Sequence, residues 1–445
     1  MSAVAAAATA LANGAAALSQ RSAQLLAAAS AALPLYSSPP PSPSPSAGSS
    51  RLLAAASPLN AHVSARPSCI WFIGSQCGLS DPMWFIGSPT WFIGSSMCLH
   101  GSIRPVVESY APTWWAANAH LQILLTFVVP QDRVAYEREL LTLRDGGQAA
   151  LDWALAASGS PLLPADAPVA VVLHGLTGSS DDMRSLCAAA LARGYRPVVV
   201  NKRGHGGVKL ATPKLQAFGC VADLSEALAH IERTWPQAKQ RVGIGLSAGA
   251  GLLVSYLGET GEDSALDAAV LVSPGYDAHY LFCGGGMHPV YDFLMTFALK
   301  ALLLRHVREL KGVIDVPGAL SATSIRAFDA NVFAKMHGFE GDLDGYWREN
   351  NPVRALSNVA RPVLCINALD DPVCTRDTIL YDQFESNPRA MLLETAHGSH
   401  CAFFHGPKPA RSWANDAALA YLDLVRGFNE QQAASAPAHD SVDVV

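Results

Sequence analysis

Acidic residues and lysine are missing from the beginning of this 445-residue chain. Its first 80 residues contain three charged side chains, all arginine, in a background of alanine, serine and proline. The proline-rich run at 37–45 cannot form helical or ladder hydrogen bonds. We therefore expect residues 1–68 to be a disordered, low-complexity leader. Its acid-poor, serine-rich composition is also typical of organelle transit peptides, and the small number of arginines favours a plastid over a mitochondrion.

Charge is also scarce in the chain as a whole, at 15% of residues, with a formal net charge of −6. Such a chain offers no basic surface for phosphate backbones, and we expect no nucleic-acid partner. Wholesale disorder is excluded as well, because half of the residues are apolar and disordered chains combine low hydrophobicity with high net charge. The composition favours a globular protein that acts on a small molecule.

The nine cysteines form no CxxC pair, and their spacing to histidines is not that of a zinc site. Their odd number and scattered positions instead predict buried free thiols in a reduced, intracellular protein. We expect neither a metal ion nor an organic cofactor.

Segment 69–110 contains three copies of the pentapeptide WFIGS, at 71–75, 84–88 and 91–95. The spacings fit no solenoid repeat, and three short copies are too small to form a core of their own. We interpret this segment as a linker that carries a local duplication. The functional alternative is a peripheral contact with a membrane, whose interface suits aromatic side chains.

Strand and helix patterns alternate regularly from about residue 133. A hairpin is predicted at Tyr136–Leu143 and Ala149–Ala154, across a glycine-containing turn. Short apolar runs then predict strands buried on both faces of a parallel sheet, at Val169–Leu173, Arg196–Asn201, Arg241–Gly245, Ala268–Ser273, Val363–Asn367 and Ala390–Glu394. Helical stretches lie between them, at Asp181–Arg193, Ala222–Trp235 and Ala248–Gly258.

This alternation predicts a doubly wound, mostly parallel α/β domain over residues 111–426. The rhythm is interrupted at 278–360, where an apolar helix at Phe293–Leu304 and a polar helix at Ser321–Met336 indicate an inserted helical cap. Beyond Arg426 the sequence becomes polar, and we expect residues 427–445 to form a disordered tail.

The sequence Gly-Leu-Ser-Ala-Gly around Ser247 has the GxSxG pattern of a nucleophile elbow. It lies between a predicted buried strand and a predicted helix, which is the context that an elbow requires. In such a site the residue after the serine and a loop after an earlier strand donate N–H groups to the oxyanion. These donors are predicted to be the backbone amides of Ala248 and Leu176. We expect His174, which begins the loop, to hold it by hydrogen bonding.

A serine needs a histidine to accept its proton and an acid to orient that histidine. Asp370 and Asp371 follow the predicted strand at 363–367, and we favour Asp371 as the acid, with Asp370 as a turn residue. His400 is favoured as the base, because it lies on a small-residue loop just past the strand at 390–394. His397 and His405 are the alternatives and are interpreted as loop or surface histidines.

With these residues placed, the chain resembles AB-hydrolase family 4 between about residues 114 and 406. The motifs that carry the resemblance are NAHLQ at 118–122, HGLTGS at 174–179, NKRGHG at 201–206, the elbow, YLGETG at 256–261, and the segments 367–372 and 398–400. The resemblance implies an α/β-hydrolase fold and the catalytic set Ser247, Asp371 and His400. It also implies that the insertion is a lid over an acyl pocket.

The leading hypothesis is a serine carboxylic-ester hydrolase that forms an acyl-enzyme on Ser247. Its substrate would be a small acyl ester or lipid, such as a monoacylglycerol or a short- to medium-chain ester. Transfer of the acyl group to an alcohol is the first alternative, since the acyl-enzyme is common to both reactions. A catalytically silent binding scaffold is the second.

Overall fold

The computed structural model describes residues 70–73, 92–93, 97–98, 103–156, 163–407 and 412–435. The predicted leader and most of the WFIGS segment lie outside the described residues. Among those that are described, no helix combines the length and the apolar character needed to cross a bilayer. The cysteines whose side chains are described are free thiols.

One nine-stranded sheet organises the described chain. Its strands lie in the order β1-β11-β10-β9-β8-β6-β7-β5-β4, and the six from β6 to β11 run parallel. Antiparallel pairing is confined to the edges, in β1 with β11 and in β4 with β5, and to β5 with β7. The strands are β1 (Ile70–Ile73), β4 (Ala135–Thr142), β5 (Gln148–Leu155), β6 (Val169–Leu173), β7 (Arg196–Asn201), β8 (Arg241–Leu246), β9 (Ala268–Val272), β10 (Val363–Ala368) and β11 (Ala390–Thr395), with a separate small ladder of β2 (Phe92–Ile93) and β3 (Met97–Cys98).

The central strands are apolar because they are covered on both faces. Every residue of β6, β7, β9, β10 and β11 is buried, so no polar face alternates with an apolar one. The predicted hairpin is β4 and β5, and Gly146 in its turn has φ +80, a conformation that glycine adopts without strain. The mostly parallel, doubly wound α/β-hydrolase fold predicted from the sequence is confirmed.

Helices cover the two faces of the sheet. One face packs against the helices Arg184–Ala192 and Trp413–Ser435, and the other packs against the helices Ala222–Thr234 and Ala248–Thr260. Along the chain the helices are α1 (Arg104–Glu108), α2 (Ala119–Val128), α3 (Arg184–Ala192), α4 (Ala222–Thr234), α5 (Ala248–Thr260), α6 (Ala278–Cys283), α7 (Pro289–Leu304), α8 (Val307–Leu310), α9 (Val316–Ser321), α10 (Ile325–Asn331), α11 (Phe333–Met336), α12 (Leu343–Asn350), α13 (Tyr381–Ser386) and α14 (Trp413–Ser435).

The hydrolase core begins earlier than the predicted boundary at residue 111. Ile103, Val107 and Tyr110 are buried in the same core cluster as the central strands. Their spacing places them on one face of α1 and the residues that follow it. The Tyr110 ring lies 4.5 Å from that of Trp413, and the Trp413 indole donates to the Val106 carbonyl. The end of segment 69–110 is therefore part of the domain and not a linker.

The C-terminal boundary also needs correction. α14 continues to Ser435, nine residues beyond the predicted end of the domain at Arg426. Phe428, although surrounded by polar residues in the sequence, packs against the core cluster and extends the contact of the helix with the sheet. Residues 427–435 are thus helical, while the rest of the predicted tail lies outside the described residues.

The insertion consists of helices α6 to α12 around a hydrophobic cluster of their own. The prediction of one helix at Ser321–Met336 is wrong, because α9 ends at Ser321 and a new helix begins at Ile325. The Ser324 hydroxyl accepts the Ala327 N–H at 3.2 Å, which caps the start of α10. A further break at Val332 separates α10 from α11.

Candidate active site

The backbone at Ser247 has the strained geometry of a tight strand-to-helix turn. Its φ is +54 and its ψ is −120, a region that side-chain-bearing residues seldom occupy. A Cβ atom at Gly245 would lie 2.6 Å from Ala250 Cα, and one at Gly249 would lie 2.3 Å from the Leu173 carbonyl oxygen. Gly245 therefore lets β8 and α5 approach closely enough to form the turn, and Gly249 lets α5 approach the end of β6.

The structure brings Ser247, His400 and Asp371 together in one chain of hydrogen bonds. His400 Nε2 lies 2.8 Å from Ser247 Oγ, and His400 Nδ1 lies 2.9 Å from Asp371 Oδ2. A carboxylate only accepts, so Nδ1 carries the imidazole proton and Nε2 is free to accept from the serine hydroxyl. This arrangement can move a proton away from Ser247 during nucleophilic attack.

The Asp371 carboxylate is fixed by its own strand end. It is 4% exposed, and its Oδ1 accepts the backbone N–H groups of Val373 and Cys374 at 2.8 and 2.9 Å. The turn that follows β10 thus satisfies one oxygen and leaves the other to His400. Such support fixes the orientation of the imidazole ring.

Asp370 contacts the histidine loop at a different point. Its Oδ1 accepts the Ser399 N–H at 2.8 Å, and its Oδ2 lies 3.4 Å from His397 Nδ1. Burial raises the pKa of Asp370 above its ordinary value. Asp370 was predicted only as a turn aspartate, and its contact with the loop was not predicted. The sequence does contain a signal for this contact, because Asp370 precedes Ser399 by the same 29 residues that separate Asp371 from His400.

The loop that carries His400 has an unusual backbone. Ser399, Cys401 and Phe403 all have positive φ angles, of +57, +57 and +47. The Cys401 N–H donates to Ser273 Oγ at 3.1 Å, which ties the loop to the end of β9. Backbone strain at positive φ angles is often found where a side chain must be held in a functional position.

His405, an alternative base, pairs through its backbone with Pro112, and none of its described hydrogen bonds reaches Ser247.

The predicted oxyanion loop is held by two buried histidines. His174 Nδ1 lies 2.8 Å from the Gly175 carbonyl, and His205 Nε2 lies 3.0 Å from that of Leu176. Burial, with Lys202 nearby, lowers the pKa of His174 well below its usual range and that of His205 to about 3. Both rings are therefore neutral at physiological pH. Neither has a hydrogen bond to Ser247 among those described, so His174 holds the loop, as predicted.

One group of described side chains has the spacing of metal ligands. Asp371, Cys374 and His400 each place a ligand atom within 4.8 Å of the others. The Asp371 oxygens already accept N–H groups, however, and burial next to this carboxylate raises the pKa of the Cys374 thiol well above its usual range. A neutral thiol is a poor metal ligand. The group therefore fits hydrogen-bonded support for His400 better than a metal site.

Comparison with known proteins shows the family to which this chain belongs. The serine aminopeptidase S33 family model matches residues 165–324. Human protein ABHD15 is 34% identical over 325 residues, which cover 71% of this chain and 69% of that protein. Bovine phospholipase ABHD3 is 32% identical, and the match covers 72% of this chain and 77% of that protein. Embryogenesis-associated protein EMB8 of Picea glauca is 28% identical, and the match covers 69% of this chain and 70% of that protein. The chain belongs to AB-hydrolase family 4. This agrees with the resemblance carried by its motifs, and the protein is a serine ester hydrolase.

Two adjoining pockets of this family 4 hydrolase lie beneath the inserted helices. Both are lined by the predicted oxyanion residues, Leu176 and Ala248, together with Phe218 and Phe282. The smaller pocket reaches Ser247. The larger continues between the helices of the insertion, where its apolar and aromatic lining includes Leu299, Leu302, Ile325, Phe333, Tyr346 and Trp347. Polar side chains also line it, those of Lys202, His205, Gln216 and Asp329. An apolar group attached to a carbonyl carbon at Ser247 would therefore have apolar space to enter.

Proposed function

We propose that this hydrolase cleaves carboxylic acyl esters, such as monoacylglycerols or short- to medium-chain esters, through an acyl-enzyme on Ser247. The observation that carries the proposal is the chain of hydrogen bonds from Ser247 Oγ through His400 to Asp371. The apolar lining of the adjoining pockets supports an acyl group as the part of the substrate that is held.

In the first half-reaction, Ser247 Oγ attacks the ester carbonyl while its proton moves to His400 Nε2. Asp371 accepts the Nδ1–H throughout and stabilises the imidazolium without being protonated itself. His400 then gives the proton to the departing alkoxide, and the alcohol leaves. In the second half-reaction water loses its proton to His400 and attacks the acyl carbon, which releases the carboxylic acid and restores Ser247.

The backbone amides of Leu176 and Ala248 are the proposed donors to the tetrahedral oxyanion. Ala248 is the first residue of α5, where an N–H has no acceptor within the helix. None of the hydrogen bonds of the described chain uses the Leu176 N–H, while the Leu176 carbonyl is held by His205. Both residues line the pockets next to Ser247. Two preorganised N–H groups at such a position stabilise the negative charge that develops there.

Labelling with a fluorophosphonate, combined with hydrolysis of p-nitrophenyl octanoate, tests the proposal. Wild type should be labelled and active, and Ser247→Ala should lose the label and at least about 10³-fold in kcat. Ser386→Ala is the matched control, because this serine is exposed on α13. Equal labelling of wild type and Ser247→Ala would rule out Ser247 as the nucleophile.

A peripheral contact with a lipid surface is part of the proposal. The helix face that holds His120 also presents Leu124 and Phe127, the latter 81% exposed. His120 Nδ1 lies 2.8 Å from the hydroxyl of Tyr291, so α2 and α7 meet at this point, and each helix carries exposed apolar side chains. We call this the α2–α7 surface; its exposed members are Trp114, Trp115, Leu121, Leu124, Phe127, Val128, Val290, Phe293, Leu294 and Phe297.

The location of the α2–α7 surface favours a lipid aggregate as its partner. α2 contains no charged residue, whereas protein interfaces have a polar rim. The surface also adjoins the active site, since the N–H of His288, just before α7, donates to the carbonyl of Pro372, next to Asp371. An apolar ester could pass from a lipid phase to the pocket without crossing water.

Co-sedimentation with phosphatidylcholine vesicles tests this contact. The double variant Phe127→Ser, Phe293→Ser should bind about tenfold more weakly than wild type, because two large apolar side chains no longer enter the lipid. Leu140→Ser is the control, since Leu140 is 57% exposed on the edge strand β4, outside the surface. Unchanged binding of the double variant would contradict the contact. Unchanged hydrolysis of a water-soluble ester would show that the chemical step is intact.

A further inference from the structure

A carboxyl group lies deep in the larger pocket, whose lining combines apolar and aromatic side chains with the polar side chains of Lys202, His205 and Gln216. Asp329 is on α10 and is 4% exposed. It lines the same pocket as Leu176 and Ala248, the proposed oxyanion residues, and therefore belongs to the space that adjoins Ser247. The mechanism proposed above assigns no task to this side chain.

No hydrogen bond or ion pair of the described chain reaches the Asp329 carboxyl group. The Lys202 ammonium lines the same pocket but donates to the Gly175 carbonyl at 3.2 Å, and the titratable groups whose charges interact with Asp329 are not cationic. They are Asp292 on α7, Cys283 at the end of α6 and Tyr346 on α12. Asp292 is itself occupied, because its Oδ1 accepts the Ile325 N–H at 2.7 Å. Buried polar groups are nearly always hydrogen-bonded in native proteins, so an unpartnered one that lines a pocket points to a ligand.

The state of this carboxyl group indicates the chemistry of its partner. Burial, reinforced by Asp292, raises its pKa well above the ordinary value for aspartate. A raised pKa favours the protonated carboxylic acid, which donates one hydrogen bond and accepts others. A hydroxyl group has the same dual character. A cation would instead require the ionised form, and a carboxylate or phosphate would be repelled by any charge that remains.

We propose that Asp329 binds a hydroxyl group on the acyl chain of the substrate, so that the enzyme selects hydroxylated over plain acyl esters. This inference rests on the proposed function, because it assumes that the acyl group occupies the larger pocket. Asp329 is a specificity-determining residue in this account and takes no part in proton transfer. A pocket built to hydrogen-bond a hydroxyl group discriminates strongly against an analogue that lacks it, since the buried polar group is then left unpaired.

The test compares kcat/KM for p-nitrophenyl octanoate with that for a series of p-nitrophenyl hydroxyoctanoates that differ in the carbon bearing the hydroxyl. Wild type should prefer at least one hydroxy ester by about tenfold or more. Asp329→Leu should lose this preference, because the leucine side chain offers no hydrogen-bond partner to the hydroxyl group. Asp329→Asn should retain part of the preference, because the amide can still bond a hydroxyl. The matched control is Asp344→Asn, an exposed aspartate of the insertion.

Three outcomes would overturn the inference: wild type without preference for any hydroxy ester, a preference that survives Asp329→Leu, or a preference for an ammonium-bearing ester that Asp329→Leu abolishes. The first is measured on wild type and decides the matter even if Asp329→Leu fails to fold. Failure of the proposed function would look different, since wild type would then neither hydrolyse plain octanoate nor react with a fluorophosphonate.

Discussion

Asp370 accepts the backbone N–H of Ser399 at 2.8 Å, one residue before the histidine that contacts Ser247. Its neighbour Asp371 accepts from the His400 ring at 2.9 Å. Two adjacent carboxyl groups at the end of β10 therefore hold two adjacent residues of one strained loop. One fixes the backbone of the loop and the other fixes the imidazole.

Substitution of the two aspartates should separate these roles. Asp371→Asn should lower kcat by about 10³- to 10⁴-fold, since the amide favours the wrong imidazole tautomer. Asp370→Ala should lower kcat by only about 10- to 100-fold, through looser positioning of His400. Asp370→Asn is the control and should stay close to wild type, because its side-chain oxygen still accepts the Ser399 N–H. Equal losses for Asp370→Ala and Asp371→Asn, measured with p-nitrophenyl octanoate, would contradict the assignment of the acid.

The close approach of β6 and α5 makes Gly249 irreplaceable. Gly249→Ala would place a Cβ 2.3 Å from the Leu173 carbonyl oxygen, and we expect a loss of about 3 kcal/mol in the free energy of unfolding. Gly427→Ala is the matched change in open space on α14, with no atom within 4 Å of the added methyl. It should stabilise the protein by about 0.5–1 kcal/mol. Urea unfolding measures both, and equal effects would refute the packing argument.

Arg203 connects the loop after β7 to two acidic residues. It is 3% exposed, bonds Asp223 through two nitrogens at 2.5 and 2.7 Å, and bonds Asp145 at 2.7 Å. Arg203→Ala should destabilise the fold by about 3–5 kcal/mol, because Asp223 loses its charge partner in a largely buried site. Arg348→Ala, which removes an exposed arginine 3.6 Å from Asp342, should leave the free energy of unfolding unchanged. Equal free energies of unfolding for the two variants, measured with denaturant, would show that the ion pairs of Arg203 do not stabilise the fold.

Acid should destabilise the protein because two buried histidines resist protonation in the folded state. Burial lowers the pKa of His205 to about 3 and that of His337 to about 4, whereas an unfolded imidazole has a pKa of about 6.5. Between about pH 6.5 and 4 the unfolded state thus binds protons that the folded state does not. Stability is full above this window and falls as pH falls, by about 1.4 kcal/mol per pH unit for each histidine.

His337→Gln tests this pH dependence. Glutamine can still donate to the Leu215 carbonyl, which His337 Nε2 approaches to 3.1 Å, but it does not titrate. The free energy of unfolding of this variant should therefore fall less steeply than that of wild type between about pH 6.5 and 4. Parallel curves from urea unfolding at each pH would show that His337 does not contribute.

The local pattern of residue types was sufficient to predict those features that depend on neighbours in the sequence. β6 and β7 were predicted to the residue, because strands buried on both faces are short, apolar and bounded by turn residues. Ser247 was recognised because an elbow needs small residues on both sides of the serine. Asp371 and His400 followed from their positions just after parallel strands, whose carboxyl ends meet at one edge of the sheet.

Local sequence patterns therefore suffice for the α/β framework and for the residues that meet at Ser247. The domain ends depend instead on long-range packing, because Tyr110 and Phe428 join the core through contacts with residues far away in the chain. The contact of Asp370 with Ser399 and the isolation of Asp329 in the pocket are likewise decided by tertiary packing. Burial and pairing depend on which distant segments pack together, and no local pattern of residues records that.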